Sequence, residues 1–394
     1  MAEPFRVGIT PDFDRIATGL IDPVLAEYLD PVPGIAYARL PEAGPTATPE
    51  QIADCDAIIA AALRFQASSF SGHDRLTVIA RWGVGYDTID VDACTANDIA
   101  LCITPEGVRR PVAEAELTML LALTKHLVKK DRLLRAGKWR DGAPPIGVCL
   151  RGRVLGSVGL GNIGSELMRL VRPFSLRRLL AYDPYGDRAL AEQLGVELVD
   201  LETLLREADF VTINCPLNRE THHLIGRREL DLMKPSAFLV NVARGAIVDG
   251  AALAAVLKDE RIAGAALDVF ESEPPDPNDP LLHLDNVILA PHAIAWTQET
   301  IYDNARLACE ACLTVSRGEV PKNVVNKQVL ERPGLRAKWA RYRCLAGGAQ
   351  GDRPPPVALR QQLLVGAATA REDATCAPCP FAADHEAGPV VAVP

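Results

Sequence analysis

The sequence predicts an α/β protein of two doubly wound parallel-sheet domains, with helices on both faces of each sheet and a cleft between. A chain of 394 residues is long enough for two sizeable cores. Short apolar strands alternate with helical segments, which favours parallel sheets. We expect residues 1–107 and 294–330 to form one domain and residues 108–293 the other. Residues 331–394 are expected to form a disordered tail, because Arg, Ala, Gly and Pro dominate there without sustained periodicity.

Composition narrows the class of protein. A net charge of −9 argues against nucleic acid as a partner and suits a cytoplasmic protein. The first residues lack a basic segment followed by a long apolar run, and no apolar run is long enough to cross a bilayer. We therefore expect neither a signal peptide nor a membrane partner. Cys376 and Cys379 with His385 form a single CxxC motif without matched histidines, so no metal is expected.

A glycine-rich turn follows the first predicted strand of the second domain. The apolar stretch Val154–Val158 is followed at once by Gly159, Gly161 and Gly164 and then by an apolar-periodic helix. Gly159 permits the tight strand-to-helix turn, Gly161 lets a pyrophosphate approach the backbone, and Gly164 allows close helix–strand packing. The helix amino terminus then presents N–H groups to the phosphates.

Asp183 completes this fingerprint. It ends the next strand, about 20 residues past the last glycine, where a carboxylate accepts hydrogen bonds from both adenosine ribose hydroxyls. The same charge would repel a 2′-phosphate, and no arginine follows in the Asp-Pro-Tyr sequence. The expected cofactor is therefore NAD. The alternative is that Asp183 is a solvated turn residue before proline.

The remaining elements follow the same β–α alternation. Pro111 is expected to open a long helix that carries the chain from the first domain into the second. A helix over 298–317 is expected to return and pack on the first domain. Strands are predicted at residues 5–9, 56–62, 76–80 and 100–103 in the first domain, and at 154–158, 179–182, 210–214, 237–241, 264–269 and 286–290 in the second.

Polar residues follow three successive strands of the second domain, in the stretches 241–245, 268–274 and 291–292. Residues just past the carboxyl ends of parallel strands line the crevice where ligands bind. Taken singly, each of these residues also fits a structural role, such as a surface cap or a solvated turn acid. Taken together, they predict a catalytic group beside the nicotinamide.

Oxidation of a 2-hydroxy acid requires such a group. His292 is the expected base, because an imidazole changes its charge near neutral pH. Glu273 would bond the other ring nitrogen and stabilise the imidazolium. Arg244 offers a planar fork to the substrate carboxylate and to the carbonyl oxygen as charge develops. Asp268 could accept a hydrogen bond from the nicotinamide carboxamide.

These motifs resemble those of the D-isomer-specific 2-hydroxyacid dehydrogenases, most closely the D-3-phosphoglycerate dehydrogenase branch, over residues 5–326. The resemblance implies a flavodoxin-like substrate domain, a Rossmann NAD-binding domain and a homodimer formed through the NAD-binding domains. The stretches that carry it are 83–87, 112–114, 159–164, 241–245, 268–274 and 291–292.

The resemblance also implies roles for particular residues. Arg244, Glu273 and His292 match the family's catalytic arginine, glutamate and histidine. Val84 and Gly85 match the loop whose N–H groups hold the substrate carboxylate, and Arg244 and His292 also belong to the implied substrate site. The positions that match family contacts to NAD are Asn162, Ile163, Asp183, Cys215 with Pro216 after it, Val242, Ala243 and Asp268.

Two departures from the family pattern stand out. Ser175 occupies a helix end where the family usually has glycine, which leaves the conformation of that turn open. We expect no counterpart of the regulatory domain that follows the core in many phosphoglycerate dehydrogenases, because residues 331–394 do not resemble one. No feedback by serine is therefore expected.

The substrate remains open between alternatives. Arg64 matches an arginine that meets the phosphate in phosphoglycerate dehydrogenases, although its neighbour is Phe65 rather than a small hydroxyl residue. This favours 3-phosphoglycerate and 3-phosphohydroxypyruvate as the substrate pair. Reduction of glyoxylate or hydroxypyruvate is the enzymatic alternative. A corepressor-like protein that binds NADH as a sensor is the alternative from a different class.

Overall fold

Two parallel sheets organise the chain in the computed structural model, which describes residues 3–42, 44–72, 74–140 and 146–343. All of these residues fall within one compact unit. Within the described residues, the first sheet has five strands and the second has seven, and every pairing is parallel. This confirms the predicted fold class. The domain boundaries themselves stay predictions.

The first sheet has the strand order β2-β1-β3-β4-β5, which is the flavodoxin-like order. β3 has all four residues buried, as expected of a central strand covered on both faces. The strands of the first sheet are β1 (Phe5–Ile9), β2 (Ile35–Arg39), β3 (Ala57–Ala60), β4 (Val78–Arg81) and β5 (Ala100–Cys102). The helices around it are α1 (Phe13–Ile16), α2 (Asp22–Leu29), α3 (Pro49–Ile52) and α4 (Val91–Ala96).

Helices α5 (Pro105–Thr124) and α6 (Leu127–Arg135) carry the chain out of the first sheet. The prediction that Pro111 opens the helix is wrong, because α5 begins at Pro105 and contains Pro111 in its interior. Pro105 occupies the first turn, where its missing N–H has no helical partner in any case. Pro111 removes one hydrogen bond from the helical ladder without ending the helix.

The second sheet has the order β12-β11-β10-β9-β6-β7-β8, in which β9 is central and the strand order reverses between β9 and β6. This is the dinucleotide-binding order with one further strand at the edge. Its strands are β6 (Val154–Val158), β7 (Arg178–Tyr182), β8 (Val196–Leu198), β9 (Phe210–Ile213), β10 (Phe238–Asn241), β11 (Gly264–Leu267) and β12 (Val287–Leu289). Its helices are α7 (Asn162–Leu170), α8 (Arg188–Leu194), α9 (Leu201–Glu207), α10 (Arg227–Leu232) and α11 (Gly250–Lys258).

Helix α12 (Gln298–Ser316) returns to the first domain, as predicted, and packs against α2, β3 and β4. It also packs along α5, where the ideal Cβ of a side chain at Gly107 would lie 2.3 Å from Oδ1 of Asn304. The glycine therefore sets the close approach of these two helices. Among the described helices, none is both long and apolar enough to cross a bilayer.

The prediction of a disordered tail from residue 331 is wrong for residues 333–343, which form helix α13 (Pro333–Arg343). Leu335, Trp339 and Tyr342 are buried, and Tyr342 donates a hydrogen bond to the buried Asp56 at 2.6 Å. These three large side chains hold the helix against the first domain, which the overall composition of residues 331–394 did not indicate. Residues 344–394, with the CxxC motif and His385, lie outside the described residues.

Candidate active site

The glycine-rich turn has the conformation that its sequence predicts. Gly159 adopts a φ of 104°, and the ideal Cβ of a side chain there would lie 2.7 Å from the carbonyl carbon of Asn214. A Cβ at Gly164 would lie 2.4 Å from the carbonyl oxygen of Gly159. Around Gly161, in contrast, the described residues leave open space. The turn is therefore closed towards the protein at two glycines and open to a ligand at the third.

Helix α7 follows this turn. None of the described side chains caps its amino terminus, so the N–H groups of Asn162 and Ile163 are free to meet an anion. The side chain of Asn162 points the other way and donates to the carbonyl of Pro105 at 2.8 Å. The start of α7 therefore has the free donors that a pyrophosphate requires.

Asp183 lies beside this turn at the end of β7. Its carboxylate accepts hydrogen bonds from the N–H of Leu160 at 2.9 Å and from the N–H of Tyr185 at 2.9 Å. Cys215, followed by Pro216, lies close by after β9. Burial raises the pKa of the Cys215 thiol to about 11, and the charge of Asp183 adds to the rise. The predicted ribose and adenosine residues are therefore neighbours.

The loop after β10 is held by Asn241, a buried residue. Its amide donates to the carbonyl of Arg244 at 2.9 Å, and its oxygen accepts from the N–H of Ala243 at 3.0 Å. Val242 is buried between them, whereas Ala243 is half-buried. The asparagine therefore fixes the backbone from which the Arg244 side chain departs.

The Arg244 side chain reaches from the second domain to the loop after β4 in the first. Its Nε donates to Asp87 at 2.9 Å, and its Nη1 donates to the carbonyl of Ala243 at 2.7 Å. The guanidinium lies against Gly85, where an ideal Cβ would be 1.3 Å from Nη2. Gly85 therefore makes room for the arginine, and the half-buried Val84 precedes it in the loop.

Two charged residues of this loop region escaped sequence reasoning. Burial disfavours the charge of Asp87, but the charge and hydrogen bond of Arg244 outweigh it and lower the pKa of Asp87. Arg81, at the end of β4, donates from Nη1 to the carbonyl of Trp82. Burial, together with the positive charge of Arg244, lowers the pKa of Arg81 to about 10. Two guanidinium groups therefore lie close together at this edge, and Asp87 interacts with both of them.

His292 and Glu273 are in direct contact. His292 Nδ1 lies 2.7 Å from Oε2 of Glu273, and Oε1 of Glu273 accepts from the N–H of Phe270 at 3.1 Å. Burial raises the pKa of Glu273, but the hydrogen bond and charge of His292 outweigh it, with help from Arg244, so that the pKa is lowered. With Nδ1 donating to the carboxylate, Nε2 of His292 carries the lone pair that accepts a proton.

Asp268, the last of the predicted group, shapes the turn that carries His292. Its carboxylate accepts from the N–H groups of Ala293 at 3.0 Å and Ile294 at 3.3 Å. Its backbone carbonyl accepts from the N–H of His292 at 2.7 Å, and His292 adopts a φ of 54°. Burial raises the pKa of Asp268. The aspartate therefore holds a backbone conformation that histidine rarely adopts.

Arg64 lines a cavity in the first domain, apart from the residues that follow the strands of the second sheet. Its exposed side chain lines a cavity of about 360 Å³ together with Phe65, Asp87 and Asp90. Because Asp87 also contacts Arg244, this cavity adjoins the arginine of the second domain. The ion pairs among the described residues include none for Arg64, and the carboxylates of Asp87 and Asp90 line the same cavity.

Comparison with known proteins points to one family. The family model described as D-isomer specific 2-hydroxyacid dehydrogenase, NAD binding domain, matches residues 117–293. A glyoxylate reductase of Korarchaeum cryptofilum is 41% identical over 286 residues, which cover 72% of this chain and 86% of the relative. A D-3-phosphoglycerate dehydrogenase of Methanocaldococcus jannaschii is 40% identical over 279 residues, which cover 70% of this chain and 53% of the relative.

A solved structure agrees with these relatives. The structure of a D-lactate dehydrogenase from Aquifex aeolicus, complexed with NAD and lactic acid, matches with a TM-score of 0.70 and 26% identity. The match covers 79% of this chain and 96% of that one. The chain therefore belongs to the D-isomer-specific 2-hydroxyacid dehydrogenase family, and it is an NAD-dependent oxidoreductase.

Proposed function

We propose that His292 accepts or returns the substrate proton in the interconversion of a 2-hydroxy acid and a 2-oxo acid, for which bound NAD would supply the hydride acceptor or donor. The contact of 2.7 Å between His292 and Glu273 carries this proposal, because it fixes the tautomer with a lone pair on Nε2. In oxidation, Nε2 accepts the hydroxyl proton, and Glu273 stabilises the imidazolium that forms. In reduction, the same nitrogen returns the proton to the carbonyl oxygen.

Arg244 is proposed to bind the substrate carboxylate and to polarise the reacting carbonyl. Its contact with Gly85 supports this role, because the N–H groups of Val84 and Gly85 lie in the loop that the guanidinium covers. Asp87 holds Nε of the arginine, which leaves Nη2 for the substrate. A planar fork of this kind binds a carboxylate more tightly than a point charge does.

The residues around the second sheet fit NAD, which supplies the hydride acceptor or donor when it is bound. The open side of Gly161 and the free N–H groups of α7 suit the pyrophosphate, and Asp183 suits the ribose hydroxyls. Asp268 is proposed to accept from the nicotinamide carboxamide. The other proposed neighbours of the dinucleotide are Gly159, Gly164, Asn162, Ile163, Cys215, Pro216, Val242 and Ala243.

Two substrates are each favoured by one observation. Arg64, which forms no ion pair among the described residues, lines a cavity next to Arg244 and favours 3-phosphohydroxypyruvate and 3-phosphoglycerate, whose phosphate would occupy that cavity. The relative of 41% identity favours glyoxylate or hydroxypyruvate, because it is a glyoxylate reductase matched over 86% of its length. The phosphoglycerate dehydrogenase relative extends well beyond the matched region.

The enzyme is further proposed to work as a homodimer in the cytoplasm. Helix α6, all of which is described, buries none of its residues and exposes apolar side chains instead. Exposed apolar surface of this kind marks a protein interface, and a second copy of the chain is the partner proposed here. The exposed apolar residues on and after α6 are Leu127, Leu134, Trp139 and Ile146.

An assay of NADH absorbance tests the proposed reaction. The purified protein is mixed with NADH and, in separate reactions, with glyoxylate, hydroxypyruvate, pyruvate and 3-phosphohydroxypyruvate. The reverse direction is measured with NAD and the D-2-hydroxy acids. We expect turnover on at least one pair, with kcat/KM ranking the substrates. Saturable NADH binding without turnover on any of them would overturn the proposal and favour an NADH-binding sensor.

A further inference from the structure

Helix α5 is joined to the pyrophosphate end of α7 by a pair of contacts to one side chain. Asn162, the first residue of α7, donates from Nδ2 to the carbonyl of Pro105. Its Oδ1 accepts a hydrogen bond from Nε of Arg109, one turn further along α5. The Arg109 guanidinium therefore lies beside the residue whose N–H opens the proposed phosphate site.

Arg109 differs from the arginine that follows it. Arg110 forms ion pairs with Glu114 and, at 3.2 Å, with Glu166. The ion pairs of the described residues include none for Arg109, whose one described partner is a neutral amide oxygen. One of two adjacent arginines is thus neutralised, and the other keeps its full charge at the mouth of the cofactor site.

The position of this free charge favours an anion as the missing partner. An exposed arginine held in one geometry loses side-chain entropy, and a single bond to an amide compensates for little of it. Its Nε is occupied by Asn162, so both terminal nitrogens remain available. The helix amino terminus contributes N–H donors but only a partial charge, whereas a pyrophosphate carries two full negative charges.

We propose that Arg109 binds the pyrophosphate of NAD from the interdomain helix, so that the phosphate site is built from both α5 and α7. The inference rests on the placement of the pyrophosphate at α7 that is proposed above. It adds a cationic ligand that precedes the glycine-rich turn in the chain and lies outside the dinucleotide fingerprint. The competing explanation is that Arg109 only ties α5 to α7 through Asn162.

Substitution of Arg109 by glutamine separates the two explanations, because glutamine can still donate to Asn162 but carries no charge. Binding of NADH, ADP-ribose and adenosine is measured by fluorescence and calorimetric titration at low and high salt. We expect Arg109→Gln to raise the Kd of NADH and ADP-ribose about tenfold at low salt and to flatten the salt dependence. Adenosine, which has no phosphate, should bind equally well to both proteins.

Arg110→Gln is the matched control, and its Kd for NADH should stay within about twofold of the original. Arg109→Lys should recover most of the affinity and the salt dependence, which a purely structural tie would not do. If Arg109→Gln binds NADH within twofold of the original protein with the same salt dependence, the inference is wrong and the proposed reaction stands. If the original protein itself does not bind NADH, the proposed function fails together with the inference.

Discussion

Asn214 and Glu116 are hydrogen-bonded beneath the glycine-rich turn, with Nδ2 of Asn214 3.0 Å from Oε1 of Glu116. The same amide donates to Oγ of Ser157 at 3.1 Å, and Ser157 donates to the carbonyl of Gly159. Glu116 is fully buried on α5, and no described cation pairs with it. The glycine-rich turn therefore rests on a buried carboxyl group.

This carboxyl group should make stability depend on pH. Burial raises the pKa of Glu116 to about 8, although hydrogen bonds from Asn214 and Thr212 lower it in part. The folded protein then holds a proton that the unfolded chain releases near pH 4.5, so the free energy of unfolding falls as pH rises between those values. The loss amounts to up to about 5 kcal/mol for a shift of this size.

Glu116→Gln isolates this effect. The glutamine amide can donate to Oδ1 of Asn214, which is buried and lacks a partner among the described residues. We expect the variant to match the original at pH 5 and to become the more stable protein by pH 8, as measured by urea unfolding across that range. An equal stability difference at pH 5 and pH 8 would show that folding does not shift the pKa of Glu116, and would contradict this prediction.

Replacement of His292 tests the proposed acid and base. His292→Ala should lower kcat by a factor of about 10²–10⁴, since general acid–base catalysis contributes roughly that much. The Kd of NADH should change less than about threefold. His283→Ala is the control, because His283 is exposed and bonds the carbonyl of Pro277. Stopped-flow and titration measurements that found turnover unchanged in His292→Ala would remove His292 from the chemistry.

Asp183 should decide between NAD and NADP. Asp183→Ala removes the carboxylate that would accept the ribose hydroxyls and repel a 2′-phosphate. We expect the ratio of kcat/KM for NADH over NADPH to fall at least tenfold. Asp187→Ala is the control, because that carboxylate caps α8 and should leave the ratio unchanged. A constant ratio in Asp183→Ala would exclude the aspartate from cofactor selection.

Arg64 should distinguish the two candidate substrates. If a phosphate occupies the cavity lined by Arg64, Arg64→Ala should raise KM about tenfold or more when 3-phosphohydroxypyruvate is the substrate. With glyoxylate, which has no phosphate, KM should stay within about twofold. Arg39→Ala is the control, because Arg39 pairs with Asp14 and Asp22. Steady-state kinetics that gave an equal change for both substrates would contradict a phosphate contact.

Helix α13 should contribute to global stability. Trp339 is buried on this helix, which packs against α12, so Trp339→Ala should lower the free energy of unfolding by about 3–5 kcal/mol. Arg336, on the exposed side of the same helix, should tolerate alanine within about 0.5 kcal/mol. Denaturant unfolding of the full chain measures both. A small loss in Trp339→Ala would mean that the helix is only loosely attached.

The strands that could be predicted are those whose sequences are dominated by apolar residues. Interior strands such as β3 and β6 are buried throughout and mostly apolar, so their positions followed from the sequence. Strands β2 and β8 escaped prediction because both are edge strands, one without a single buried residue and the other of three residues. Short or half-exposed edge strands carry little apolar periodicity.

Some residues of the candidate site could likewise be predicted from the sequence, and others could not. His292, Glu273 and Arg244 could be named from the sequence, because each follows a predicted strand in a familiar motif. Their partners could not, because the pairing of Arg244 with Asp87 depends on how two separate sheets approach each other. The burial of Glu116 likewise depends on the packing of α5 against the second sheet, which its sequence neighbours do not reveal.

Arg244 follows β10 of the second sheet, whereas its contacts Gly85 and Asp87 lie in the loop after β4 of the first sheet. If the substrate acid binds to this arginine and to the 83–87 loop, as proposed, its ligands come from both domains, and its binding would favour arrangements in which the two domains lie close together. By reciprocity, any change that draws the sheets apart weakens the affinity for the acid by the same factor. Under this proposal, substrate binding and the distance between the two domains are therefore coupled.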